Sequence, residues 1–157
     1  MIYVGIDPGL HNGLALWDAQ DRAFIEIGTY TFWGLIFRLD ALTAQWTEAK
    51  TETLVLVEYA ASHNFMYARN EQTNDPSDSR RRKENKISRN IGQNQLYGKL
   101  IVEYLELLKA TGRKSFSVTP IVPNQRKLNG PTFSTVTKYP KAVSQHARDA
   151  AMLVFGR

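Results

Sequence analysis

Residues 53–58, Thr-Leu-Val-Leu-Val-Glu, constrain the fold more than any other stretch of this chain. A nearly continuous apolar run leaves no face for water, so it reads as a central strand buried on both sides, as in an α/β sheet. It stops abruptly at an acid, Glu58. Helical spacing flanks it. Leu35, Ile36, Leu39, Leu42 and Trp46 form one stripe between about Phe32 and Lys50, and Leu96, Leu100, Tyr104, Leu105 and Leu108 another between about Ile91 and Ala110.

The chain opens on Ile-Tyr-Val-Gly-Ile-Asp-Pro-Gly, an apolar strand that ends in an acid at a tight turn. Ile2–Asp7, Gly13–Trp17 and Ala23–Thr31 carry strand-forming residues separated by turn signals, which predicts an antiparallel meander. Residues 60–89 combine an Asn-Asp-Pro-Ser-Asp-Ser cluster with Arg80-Arg81-Arg82-Lys83 and read as a mobile basic loop. Ser115–Val122 is the last expected strand. A Pro/Gly/Thr-rich basic stretch, 123–141, leads to a final helix from about Ala142 to Phe155. At 157 residues this is one domain. The order is that of the ribonuclease H-like fold: α/β, with a mixed five-stranded sheet flanked by helices. In that arrangement the central strand lies beside the first, so Glu58 comes next to Asp7 at the carboxyl edge, where open sheets build sites.

Charge is unevenly spread. Residues 1–58 hold three basic and eight acidic side chains, a net of −5, and the remainder holds 17 and seven, a net of +10. Eight Lys or Arg and no acid lie between Glu106 and Asp149. A basic surface beside an acid-rich element points to a polyanion such as nucleic acid. The chain has no cysteine, which excludes disulfides and zinc–thiolate sites. No apolar run approaches the ~20 residues of a membrane span, and no signal-peptide pattern opens the chain. The expected location is the cytoplasm, with the nucleoid, or the host cytoplasm for a viral protein.

In the last helix His146 and Asp149 are three apart and share a face. Asp7, Glu58, His146 and Asp149 would then converge, and three carboxylates with one imidazole need a cation among them. Hard oxygen donors favour Mg²⁺, with Mn²⁺ as a substitute. Two such ions serve in-line phosphodiester displacement, one generating the hydroxide and one steadying the leaving oxygen. Each residue alone has a plainer reading: Asp7 as a turn former, Glu58 as a wet strand end, His146 and Asp149 as an exposed helix face. It is their order on this fold that favours metal ligation.

The chain resembles RuvC-type Holliday-junction resolvases along nearly its whole length. The resemblance rests on Gly5-Ile6-Asp7-Pro8-Gly9 with Gly13, Val57-Glu58, Phe65-Met66, Ala68-Arg69-Asn70, Ile91-Gly92-Gln93, and His146-Ala147-Arg148-Asp149-Ala150. It implies that Asp7, Glu58, His146 and Asp149 are metal-binding catalytic residues. It also implies a homodimer that grips a four-way DNA junction and nicks two opposing strands symmetrically with Mg²⁺. Lys127, with Arg126, follows the last strand and is placed to meet the scissile phosphate. Arg80, Arg81, Arg82 and Lys83, together with Arg69, Lys138 and Lys141, are expected to contact the DNA backbone. Phe65 and Tyr67 are expected to stack on unpaired bases. Two other readings compete: a related nuclease acting on flaps or forks, and a catalytically silent junction-binding protein. An actin-like ATPase shares the Asp and Gly of the first turn but needs two such domains.

Overall fold

The computed structural model describes residues 1–59, 78–122 and 127–157. Five strands, β1 (Ile2–Asp7), β2 (Asn12–Asp18), β3 (Ala23–Tyr30), β4 (Thr53–Glu58) and β5 (Phe116–Ile121), form one sheet in the order β3-β2-β1-β4-β5. β2 is antiparallel to β1 and β3, while β4 is parallel to β1 and β5 to β4, so the sheet is mixed. The helices described are α1 (Phe32–Glu48), α2 (Asp78–Ala110), α3 (Gly130–Thr137) and α4 (Gln145–Val154). The class is α/β, as the Thr53–Val57 run requires. Among the described residues no helix is long and apolar enough to cross a membrane.

Alternation along each strand divides the core into two layers. Ile2, Val4 and Ile6 of β1, Leu14 and Leu16 of β2, and Val55 and Val57 of β4 face one way. They pack against Leu35, Leu39, Leu42 and Trp46 of α1 and Ile101, Leu105 and Leu108 of α2. The opposite parity, with Ala15, Trp17 and Leu56 buried and Tyr3 and Leu54 half-buried, meets Phe133 of α3 and Ala147, Ala150, Ala151, Leu153 and Val154 of α4. Parity therefore assigns Asp7 and Glu58 to the α4 face.

Side chains start both α1 and α4. Thr31 Oγ1 accepts the Gly34 N–H at 3.1 Å, and Ser144 Oγ accepts the Ala147 N–H at 3.2 Å, each satisfying an otherwise orphaned donor. Ser144 Oγ also meets Thr29 Oγ1 at 2.5 Å, which ties the start of α4 to β3.

Three expectations need correction. α2 begins at Asp78, so residues 78–89 are helical rather than part of a basic loop, and Ile91-Gly92-Gln93 lies inside the helix instead of opening it. Arg, Lys and Glu are good helix formers, and a helix already docked by its C-terminal half extends through them at little cost. Residues 60–77 lie outside the described part of the chain. Second, Leu96 and Leu100 are 55% and 37% exposed, and Ile101 takes the buried position instead. Gly98 sets this rotation: a Cβ there would stand 3.0 Å from the Tyr59 ring and 3.3 Å from Glu58 O, so the helix turns its glycine to the sheet edge. Third, the Pro/Gly/Thr-rich stretch contains α3. Asn129 Oδ1 caps it by accepting the Thr132 N–H at 2.9 Å, and proline sits in its first turn, where a missing N–H costs nothing. Lys138 closes it in the left-handed conformation (φ 59°) that glycine more often supplies, and Phe133 anchors it in the core.

Candidate active site

The parallel register pairs Ile6 with Val57, which makes Asp7 and Glu58 neighbours at the carboxyl end of adjacent strands. α4 then has to come close. A Cβ on Gly13 would lie 1.9 Å from His146 O, and one on Gly5 would lie 2.1 Å from Ala150 O. Only glycine permits such an approach of helix backbone to sheet. The turn after β1 is held by Asn12, whose buried Oδ1 accepts the Gly9 N–H at 3.2 Å and whose Nδ2 donates to Tyr30 O at 3.4 Å.

Asp7 is buried, and His146 donates from Nδ1 to its Oδ2 at 2.7 Å. A carboxylate only accepts, so the proton belongs to Nδ1 and Nε2 is left outside this bond. Burial raises the Asp7 carboxyl above its ordinary range, and the hydrogen bond and charge of His146 pull the other way. Glu58 is pushed up to about 7, first by burial and then by the charges of Asp7 and Asp149, with Lys127 and His146 opposing. Asp149 disfavours ionisation of Asp7, and Asp7 and Asp149 together disfavour that of Glu58.

Asp149 completes the group. Gln145 donates Nε2–H to its Oδ1 at 2.5 Å. Its Oδ2 is sealed from solvent and makes no hydrogen bond, although Lys127 Nζ stands 3.2 Å away. Burial works to lower the Lys127 pKa, and the pairing with Asp149 across that distance raises it on balance. Among the described residues no group of three or more His, Asp or Glu is spaced to hold a metal ion as it stands. Asp7 is instead held by His146, and Asp149 by Lys127.

Of the residues expected at the site, Asp7, Glu58, His146, Asp149 and Lys127 interact with one another. Lys138 and Lys141 are exposed, Lys138 at the end of α3 and Lys141 between α3 and α4. Arg80, Arg81, Arg82 and Lys83 fall in the first turns of α2. Phe65, Tyr67, Arg69 and Arg126 lie outside the described residues. Sequence reading missed Asn12, Gln145 and Arg148. Gln145 had a usable signal, because a glutamine four residues before an aspartate on a helix can bond to it. Arg148 lies three residues after Gln145, a spacing that lets the two side chains meet, whereas its bonds to the Leu128 and Val143 carbonyls are brought in by the fold.

No protein-family model and no curated protein matches this chain.

Proposed function

We propose that this chain is a metal-dependent structure-specific DNA endonuclease of ribonuclease H-like fold, resolving four-way junctions by symmetric nicks as RuvC-type resolvases do. The observation that carries the reading is the convergence of Asp7, Glu58, His146, Asp149 and Lys127. They come from four separate segments and meet at the carboxyl end of β1 and β4. Structural packing alone has no use for three crowded acids, one with a carboxylate oxygen sealed from solvent against an ammonium. That donor set, three carboxylates and an imidazole nitrogen, fits Mg²⁺ or Mn²⁺. Asp7, Glu58, Asp149 and His146 Nε2 would hold two ions, which when bound supply an activated water and charge stabilisation at the leaving oxygen.

The chain's own groups have separate tasks. His146 fixes the rotamer of Asp7, so that one carboxylate oxygen stays oriented. Lys127, exposed beside Asp149, offers its ammonium to a phosphate oxygen as negative charge develops there. Lys138 and Lys141, exposed at the end of α3 and between α3 and α4, would contact the DNA backbone. On α2, Arg82 lies about 24 Å along the helix axis from Gly98, far enough to meet a second duplex arm. Trp33 and Phe37 of α1 and Leu96 of α2 are more than half exposed, and they suit the self-association that two symmetric nicks require.

The test is incubation of the purified protein with a labelled four-way junction, a flap and a linear duplex, each with Mg²⁺ or EDTA. Paired nicks in opposite strands of the junction, present only with Mg²⁺, are the expected result. Preferential flap or fork cleavage would assign the same chemistry to a broader branched-DNA nuclease. Junction binding with no product would make the chain a silent binder and overturn the proposal.

A further inference from the structure

Arg148 sits in the last helix between His146 and Asp149, yet it touches neither. Its guanidinium donates Nε–H to Leu128 O at 3.0 Å, Nη1–H to Val143 O at 2.5 Å and Nη2–H to Gln145 Oε1 at 2.7 Å. The first acceptor belongs to the residue after Lys127, and the second to the loop that enters α4. The third is the amide whose Nε2 holds Asp149 Oδ1. A Cβ on Gly130 would come within 3.9 Å of Nη1, so the group is packed under the start of α3.

We infer that Arg148 is a positioning residue that sets Lys127 against Asp149, with Gln145 as its link to the carboxylate. One rigid, planar fork fixes both members of the ion pair. It fixes Lys127 through the backbone of the next residue, and Asp149 through a side-chain amide. Lysine cannot do this, because a single ammonium lacks the geometry to serve three acceptors in one plane. Gln145 cannot rotate without breaking its bond to Arg148, so Asp149 Oδ1 stays occupied and Oδ2 is turned toward Lys127. Groups of this kind, which orient a ligand without being one, typically change metal affinity by about 10-fold or more when removed.

The inference rests on the nuclease reading for its catalytic meaning, and the experiment separates the two. Mn²⁺ affinity is measured by calorimetry on wild type, Gln145→Ala, Arg148→Lys, the double variant and Asp149→Asn. Lys127 acylation rates are followed on the same proteins, without metal, by mass spectrometry. Gln145→Ala frees neither backbone carbonyl, so its fold is kept even where Arg148→Lys loses stability. We expect Mn²⁺ binding to weaken about 10-fold in each single variant, and no further in the double variant, because the two act in series. Lys127 should acylate faster in both, approaching its rate in Asp149→Asn. Unchanged Mn²⁺ affinity in Gln145→Ala, or additive losses in the double variant, would overturn the inference. If wild type binds no Mn²⁺, the metal reading falls, and acylation decides alone. A faster rate in folded Gln145→Ala upholds the positioning role, and a wild-type rate there removes it.

Discussion

The two faces of the sheet are built to different rules. Against α1 and α2 the strands present Ile, Leu and Val, and the helices answer with Leu and Trp, so the layers meet through large side chains. Against α4 the strands present Gly5, Gly13 and Ala15 to Ala147, Ala150 and Ala151, so backbones nearly touch, and Trp17, Leu56, Leu153 and Val154 fill the rest of that face. Large side chains exclude more water per residue and supply most of the hydrophobic stabilisation. Small ones give less, but they set a distance that cannot drift. The acids lie only on the second face. One face holds the fold together, and the other holds a constellation at fixed separation.

The largest expected effect lies on the α4 face and leaves the fold alone. Asp7→Asn keeps the size and most hydrogen bonding of the side chain but removes its charge. Nicking of a four-way junction should drop to background, while junction binding in EDTA and the melting temperature stay close to wild type. A folded Asp7→Asn protein that still nicks would take Asp7 out of the site.

A paired experiment probes the faces directly. Gly13→Ala drives a methyl into His146 O, which is backbone and cannot swing aside. α4 must shift, and His146 and Asp149 shift with it. A 1 Å displacement of reacting groups can cost about 100-fold, so nicking per folded molecule should fall at least that far. Leu39→Ala, fully buried on the other face, should cost about 2–5 kcal/mol of stability from the cavity it leaves. Its nicking per folded molecule should be close to normal. Denaturant melts and single-turnover rates on both variants check this. Equal loss of activity in the two would mean that the faces do not divide their work as described.

How far this was legible in the sequence follows from the same division. Strands whose residues alternate or run apolar without a break were readable, and the parity that turns Asp7 and Glu58 to one side follows from their positions in β1 and β4. α1 was readable because every residue of its stripe is buried. α2 was misread by one position at Leu100 and Ile101, because both are apolar and only the tight contact at Gly98 chooses between them. α3 was hidden because Thr, Ser, Val and Pro are weak helix formers, and its stability comes from a cap and from the burial of Phe133. Of the site, Asp7, Glu58, His146 and Asp149 were legible as an ordered set. The Arg148–Gln145 bracket was legible only where Gln145 stands three and four residues before its helix partners, because the bonds from Arg148 to the Leu128 and Val143 carbonyls leave no pattern in the residue types.

The smallest expected effect concerns the stability that the second face gives up. Glu58 has its folded-state pKa raised from 4.5 to about 7, chiefly by burial. Between those two values the folded state binds more protons than the unfolded one, so stability falls as pH rises through that window. Below it both states are protonated and no penalty exists; above it the penalty is complete. A shift of this size corresponds to about 3 kcal/mol, and partial exposure of the carboxyl screens it to about 1–2 kcal/mol. Glu58→Gln mimics the protonated acid at every pH. It should therefore match wild type in denaturant melts at pH 4 and exceed it by about 1–2 kcal/mol at pH 8. Mg²⁺ at pH 8 should narrow the gap by stabilising wild type more than the Glu58→Gln variant, since a cation among the acids relieves the repulsion that the amide has already removed. A gap that is the same at pH 4 and pH 8 would trace the difference to packing, and Glu58 would then carry no electrostatic strain.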